Sequence, residues 1–431
     1  MPSETLPSTL LATLLSGVRV LTIAQPHMHT AGVSVFVRTG SAHETRANNG
    51  VSHVLEHMAF KGTTRRNVQR VNLDAERLGA EVNAHTDKDH TAYTMRGLAS
   101  DAPEFVHMLG DIVRHATFPE DELEREREVI LQEVAEVEDD PVTVAYHLFD
   151  NACWGLHPAA LPVIGQQRHI ERFTRADLVA LVERQYTGAN IVVAAAGGID
   201  AQAVQRAAEQ AFTGMRMGTP NAVEAPRFEG GIRSKRMDVG QQTHLVMGFP
   251  IPGLACDDAA DEVAAAIFGD GMSSPLLAEL REKRGLVYHA ACVAERFDYG
   301  GQFIVEASFS PRRLEDVLRE VARLLCEQAR QIDAEHLERA RKQLEVRALR
   351  SEEHVSSRLE ACALDLFVRG RVRTAEQRVQ RIREVTPAQV RAAFDRMLAG
   401  GPAVAVTGSL GRGVAQRVEL ALAALLQRRA H

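Results

Sequence analysis

HIERFTRADLVALVERQYTGANIVVAAAGGID, residues 169–200, reads as one helix, one stop and one short apolar strand. Thr174 is a side-chain acceptor placed to cap a helix start. Apolar residues then recur at helical spacing until Gly188 supplies a stop. IVVAAAG then reads as a short apolar strand. The unit returns as RIREVTPAQVRAAFDRMLAGGPAVAVTGSLGR, residues 381–412. Ile170 matches Ile382, Thr174 matches Thr386, Leu178 matches Val390, Val182 matches Phe394 and Gly188 matches Gly400, each pair 212 apart. A single period near half the chain length predicts two similar halves rather than a solenoid.

The rest of the chain fits two halves. A length of 431 residues exceeds one ordinary domain, and 45% hydrophobic with 25% charged residues is the composition of a globular protein. Residues 214–236, rich in Gly, Pro and basic side chains, read as the junction. The expected halves are 1–215 and 237–431, with 216–236 as linker. AGVSVFVRTG (31–40) and THLVMGFP (243–250) read as matching strands, each before a long helical stretch. The fold class expected is α+β, as two α/β sandwich domains, each a sheet covered by helices.

A net charge of -7 argues against a nucleic-acid partner. The five cysteines are scattered without a CxxC pair, which favours a reducing compartment over a disulfide framework. The first residues lack a basic region before their apolar stretch, so a secretory leader is not expected. VRVLTIA (18–24) reads instead as a strand. No run of about 20 uncharged apolar residues occurs, so no membrane partner is expected. The expected compartment is the cytoplasm, or the periplasm had a leader been removed.

HVLEH, residues 53–57, carries the chemistry. Asn48, Asn49 and Gly50 read as the helix start, and Val51, Val54, Leu55 and Met58 form an apolar stripe. His53 and His57 are one turn apart and project on one face, with Glu56 beside them. Two neutral imidazoles at that spacing can hold one zinc ion, and a neighbouring carboxylate can take a proton from water. A third ligand is sought in the acidic helix PEDELEREREVILQEVAEVEDD (119–140). There Val129, Ile130, Val134 and Val137 are the expected apolar seam, and spacing leaves Glu126 and Glu133 as alternatives.

NGVSHVLEHMAFKGT followed by EREREVILQEVAEVEDDP resembles the inverted zinc-peptidase family, M16, that includes pitrilysin, insulysin and the mitochondrial processing peptidase β subunit. HxxEH is the signature of that class. The resemblance is to the two-repeat bacterial form, and it implies mostly antiparallel sheets of the LuxS and processing-peptidase type. It implies Glu133 as third zinc ligand, Glu56 as general base and Glu126 as an additional acidic residue. LGAEVNAHTDKDHTAYTMRGL (78–98) resembles the family's substrate-edge strand, which implies that Asn83 and Ala84 bind peptide backbone. The nearby His85 and His90 read as strand or loop histidines rather than ligands.

GDGMSSPLLAELREKRGLVYHA (269–290) resembles the family's inactive repeat and lacks HxxEH, so one zinc per chain is expected. By the same match Arg281 and Tyr288 are the family's oxyanion-stabilising pair. Two repeats, where larger relatives have four, imply a homodimer or a heterodimer with a related subunit, closing a chamber around unfolded peptides. The function expected is a zinc-dependent endopeptidase. Its alternatives are a non-catalytic or partner-dependent subunit and a presequence-processing enzyme.

Overall fold

The structure, a computed structural model, describes residues 8–238 and 240–426. Residues 1–7, at the start of the segment read against a leader, lie outside it. Two sheets form. The first contains β1 (Ser8–Thr13), β2 (Arg19–Ala24), β3 (Thr30–Val37), β4 (Glu81–Thr86), β5 (Thr91–Leu98) and β6 (Ile191–Gly197), in the order β1-β2-β6-β3-β5-β4. The second contains β7 (Gly231–Arg236), β8 (Thr243–Ile251), β9 (His289–Phe297), β10 (Gly300–Phe309) and β11 (Ala403–Gly408), in the order β7-β11-β8-β10-β9.

The duplication read in the sequence is visible in this order. The β2·β6 pair is parallel and so is β7·β11, while every other pairing is antiparallel. β6 and β11 are the repeated apolar strands. Each follows a helix whose N-cap threonine closes a capping box, Thr174 with Asp177 and Thr386 with Gln389.

Both sheets are apolar on two faces, and each must be covered twice. The helices of the early part of the chain are α1 (Val51–Ala59), α2 (Val68–Arg77), α3 (Ala102–His115), α4 (Glu120–Asp139) and α5 (Pro141–Trp154). In the first sheet Val33, Val35, Val193 and Ala195 pack under α1, α3 and the helices Arg175–Gln185 and Ala201–Ala211. Its opposite face, with Leu21, Ile23, Phe36 and Ala194, is closed by Leu359, Cys362 and Leu366 of the helix Val355–Arg369. In the second sheet Met247, Phe249, Phe303 and Val305 pack under the helices Ala260–Gly269, Leu314–Arg330 and Pro387–Gly400. Its opposite face takes α5, where a Cβ on Gly248 would lie 2.7 Å from the Phe149 ring.

The compact units are therefore not the two halves of the sequence. One gathers residues up to Val134, Pro162–Val223 and Ser351–Arg373; the other gathers Ala135–Leu161, Glu224–Arg350 and Thr374 onward. The expected division at 215 and 237 runs along the sequence, and these contact-defined units do not follow it. Each sheet takes its second covering helix from the other half of the sequence. The expected linker also contains β7, because residues 231–236 complete a parallel pair with β11. No helix among the described residues is long and apolar enough to cross a membrane.

Candidate metal centre

α1 begins without a side-chain cap. Its N-cap is Gly50, at φ 97°, where a Cβ would also come 2.7 Å from the backbone of Gly165. The orphan N–H groups of the first turn are met from outside the helix. The buried Glu44 carboxylate accepts from Gly50 N at 2.7 Å, Ser52 N at 2.8 Å and Asn49 Nδ2 at 3.0 Å. Burial pushes the Glu44 carboxyl up to about 7, against the pull of these donors. Asn49, expected as part of the helix start, instead donates to Glu44 and to Pro162 O at 2.9 Å. Val51, Val54, Leu55 and Met58 are buried, as the stripe predicted, which fixes the helix rotation.

That rotation turns both histidines toward α4. His53 Nε2 lies 3.8 Å, and His57 Nε2 3.5 Å, from the same Glu133 Oε2. The three ligand atoms lie within 4.8 Å of one another. A tetrahedral zinc with bonds of about 2.0–2.1 Å needs ligand atoms roughly 3.3 Å apart, so small side-chain shifts would complete the set. Burial, and then repulsion from His57, push His53 down to about 4, which leaves it as the neutral ring a metal requires. Two imidazoles and one carboxylate fit a catalytic zinc, which keeps a fourth position open.

The structure separates the two candidate glutamates. Glu133 faces the Nε2 atoms; Glu126 Oε2 lies 3.1 Å from His57 Nδ1, and Lys61 pairs with its other oxygen. A carboxylate at Nδ1 accepts a hydrogen bond from the ring N–H there and leaves the lone pair on Nε2. In α4 Leu123, Ile130 and Val134 are buried. Val129, expected in that seam, is 45% exposed, because the helix rests on a narrower stripe than its composition suggested.

Glu56 stands beside the histidines, and Thr86 Oγ1 of β4 donates to its Oε2 at 2.7 Å. Burial raises the Glu56 carboxyl above its ordinary range, opposed by Thr86, His57 and His85. β4 is one of the two edge strands of its sheet among the described residues. Asn83 and Ala84 lie on it, and the Ala84 N–H is held by the Asn83 side-chain oxygen at 2.9 Å. A groove of about 340 Å³ joins this edge to Glu56 and His57, with Phe60 and Lys61 of the segment after α1 and Val71 of α2 along it.

Arg281 and Tyr288 belong to the other compact unit. Tyr288 is 62% exposed. Among the described residues the Arg281 side chain has loose contacts, Glu282 at 3.9 Å and Met272 Sδ at 3.9 Å, while Glu279 pairs with Lys283. The helix Ala260–Gly269, which sits on the second sheet as α1 sits on the first, carries no histidine. Sequence reasoning missed Glu44 and Thr86. Neither has a spacing rule to its target, since Glu44 returns to α1 on a loop and Thr86 on the strand β4.

Two family models match the chain: Insulinase (Peptidase family M16) over residues 19–167 and Peptidase M16 inactive domain over residues 172–344. An uncharacterized zinc protease of Mycobacterium bovis is 33% identical over 93% of both chains. An uncharacterized zinc protease of Rickettsia bellii is 28% identical over 92% of this chain and 96% of its own. A protease from Helicobacter pylori superposes with a TM-score of 0.85 at 21% identity, covering 93% of this chain and 100% of that one. A peptidase M16 inactive domain from Pseudomonas fluorescens superposes equally well, at 0.85 and 21%, over 94% and 98%. These two structures establish likeness of fold.

Proposed function

The chain belongs to peptidase family M16, and from that premise we propose that it is a zinc-dependent endopeptidase acting on unfolded peptides. The observation that carries the reading is the convergence of His53 Nε2 and His57 Nε2 on one Glu133 oxygen, with Glu56 on the same helix face. His53, His57 and Glu133 would hold one zinc ion per chain. When bound, zinc supplies Lewis acidity, lowering the pKa of a water to roughly 7 and polarising a peptide carbonyl.

Glu56 takes the proton of the attacking water and delivers it to the leaving amine nitrogen. Its raised carboxyl suits both directions of that transfer, and Thr86 holds one oxygen still. Glu126 fixes the His57 ring through Nδ1 and is a positioning residue. An extended peptide adds to the β4 edge beside Asn83 and Ala84, and the strand geometry excludes folded substrates. Arg281 and Tyr288 donate to the carbonyl oxygen as negative charge develops there. A homodimer, or a heterodimer with a related subunit, completes the chamber.

The test is zinc content and cleavage of an unstructured peptide, comparing wild type with Glu56→Gln. Metal retained in both and cleavage lost only in the variant is the expected result. Zinc with no cleavage in wild type, alone or with a related subunit added, sinks the catalytic reading. Mass measurement in solution tests the dimer.

A further inference from the structure

β4 has two faces. Val82 and Ala84 turn toward the core under α1, and Thr86 reaches Glu56. The alternate residues Glu81, Asn83 and His85 turn toward the helix Val355–Arg369. There His85 meets Glu360 of that helix and His90, which lies just before β5. His85 Nε2 is 3.8 Å, and His90 Nε2 3.4 Å, from the same Glu360 Oε1. At the first centre the corresponding separations are 3.8 and 3.5 Å. All three ligand atoms again lie within 4.8 Å of one another.

Further observations point the same way. His90 is 2% exposed, and its Nε2 faces the Glu360 oxygen as an ion pair at 3.4 Å without the geometry of a hydrogen bond. Its Nδ1 lies 2.8 Å from Asp89 Oδ1, the carboxylate–histidine arrangement that fixes the tautomer of metal-binding imidazoles. The His85 and His90 rings meet edge to face with centroids 5.5 Å apart, so both nitrogens reach one point without the rings colliding. A cleft of about 290 Å³ bordered by Phe36, Asn83, His85, Arg96, Ser356 and Glu360 leaves room for further ligands such as water.

We infer that His85, His90 and Glu360 form a second divalent-metal site, of zinc type, separate from the HVLEH centre. Two imidazoles and a carboxylate within tetrahedral reach are a borderline-soft ligand set that suits zinc over magnesium or calcium. Its role follows from what it joins. The ion clamps the edge strand β4 to the helix Val355–Arg369, bracing the strand that carries Asn83, Ala84 and Thr86. Glu360 is 270 residues from His90 in the chain, so the clamp also ties a late segment into the first unit.

The full-length chain is dialysed to equilibrium against zinc, and bound metal and thermal midpoint are read for four proteins. Wild type is expected to hold two ions, one per group. The double variant His53→Ala/His57→Ala retains one, so the outcome does not depend on peptidase activity. His85→Ala and Glu360→Gln each lose one and lose the zinc-dependent rise in midpoint that the double variant keeps. Both altered side chains are partly exposed, and Glu360→Gln keeps the shape. Zinc absent from the double variant, or undiminished in His85→Ala and Glu360→Gln, overturns the assignment. His90 would then simply share a proton with Asp89 and Glu360.

Discussion

His57 Nδ1 lies 3.1 Å from Glu126 Oε2 while Nε2 of the same ring lies 3.5 Å from Glu133 Oε2. One imidazole is thus oriented by one glutamate and aimed at another, both from α4. Removing a carboxylate that orients a metal-bound histidine typically costs about 10–100-fold in affinity or activity. Glu126→Ala is expected to weaken zinc binding by that factor. Glu126→Gln, which still offers an acceptor, should fall between it and wild type. Competition titration with a chelator of known affinity measures both; equal affinity in all three proteins would remove Glu126 from the centre.

Thr86 acts on Glu56, not on the metal ligands. A hydrogen bond to a charged group is worth about 1.5–3 kcal/mol. Thr86→Val should therefore lower kcat by roughly tenfold or more, with zinc content unchanged. Steady-state kinetics beside metal analysis would show this, and unchanged kcat would mean that Glu56 needs no such support.

Glu44 governs the start of α1. Glu44→Ala leaves buried N–H donors unmet, each costing roughly 1–3 kcal/mol. It should destabilise the protein by at least that much in urea unfolding. The pH dependence has a definite sign. Burial pushes the folded carboxyl up to about 7, above its ordinary value of about 4.5, so the folded state binds the extra proton between these values. The stability Glu44 contributes is full below about 4.5 and is lost as pH rises toward 7. The unfolding free energy of wild type minus that of Glu44→Gln should therefore fall across this window; a flat or rising difference contradicts the burial argument.

Leu366 tests the exchange of helices. It is fully buried against the first sheet although it lies in the late part of the chain. Leu366→Ala should cost about 2–5 kcal/mol. If residues 351–373 were peripheral to this unit, the loss in chemical denaturation would stay within about 0.5 kcal/mol.

Local sequence determined the helical HVLEH face, the two capping boxes and the repeated buried strands. Their physics acts over one or two turns: a 3.6-residue period, a threonine meeting an N–H three residues on, an unbroken apolar run. Tertiary structure decided the rest. Glu126 and Glu133 are equivalent by spacing, and only the packing of α4 against α1 puts one at Nδ1 and the other at Nε2. The cap of α1 comes from Glu44 because a loop buries that carboxylate under the helix start. His85 and His90 read as ordinary strand and loop residues until the helix Val355–Arg369 crosses the sheet and brings Glu360 between them. A ligand set gathered across 270 residues leaves no period in the chain, since burial of two apolar sheet faces, not local spacing, draws it together.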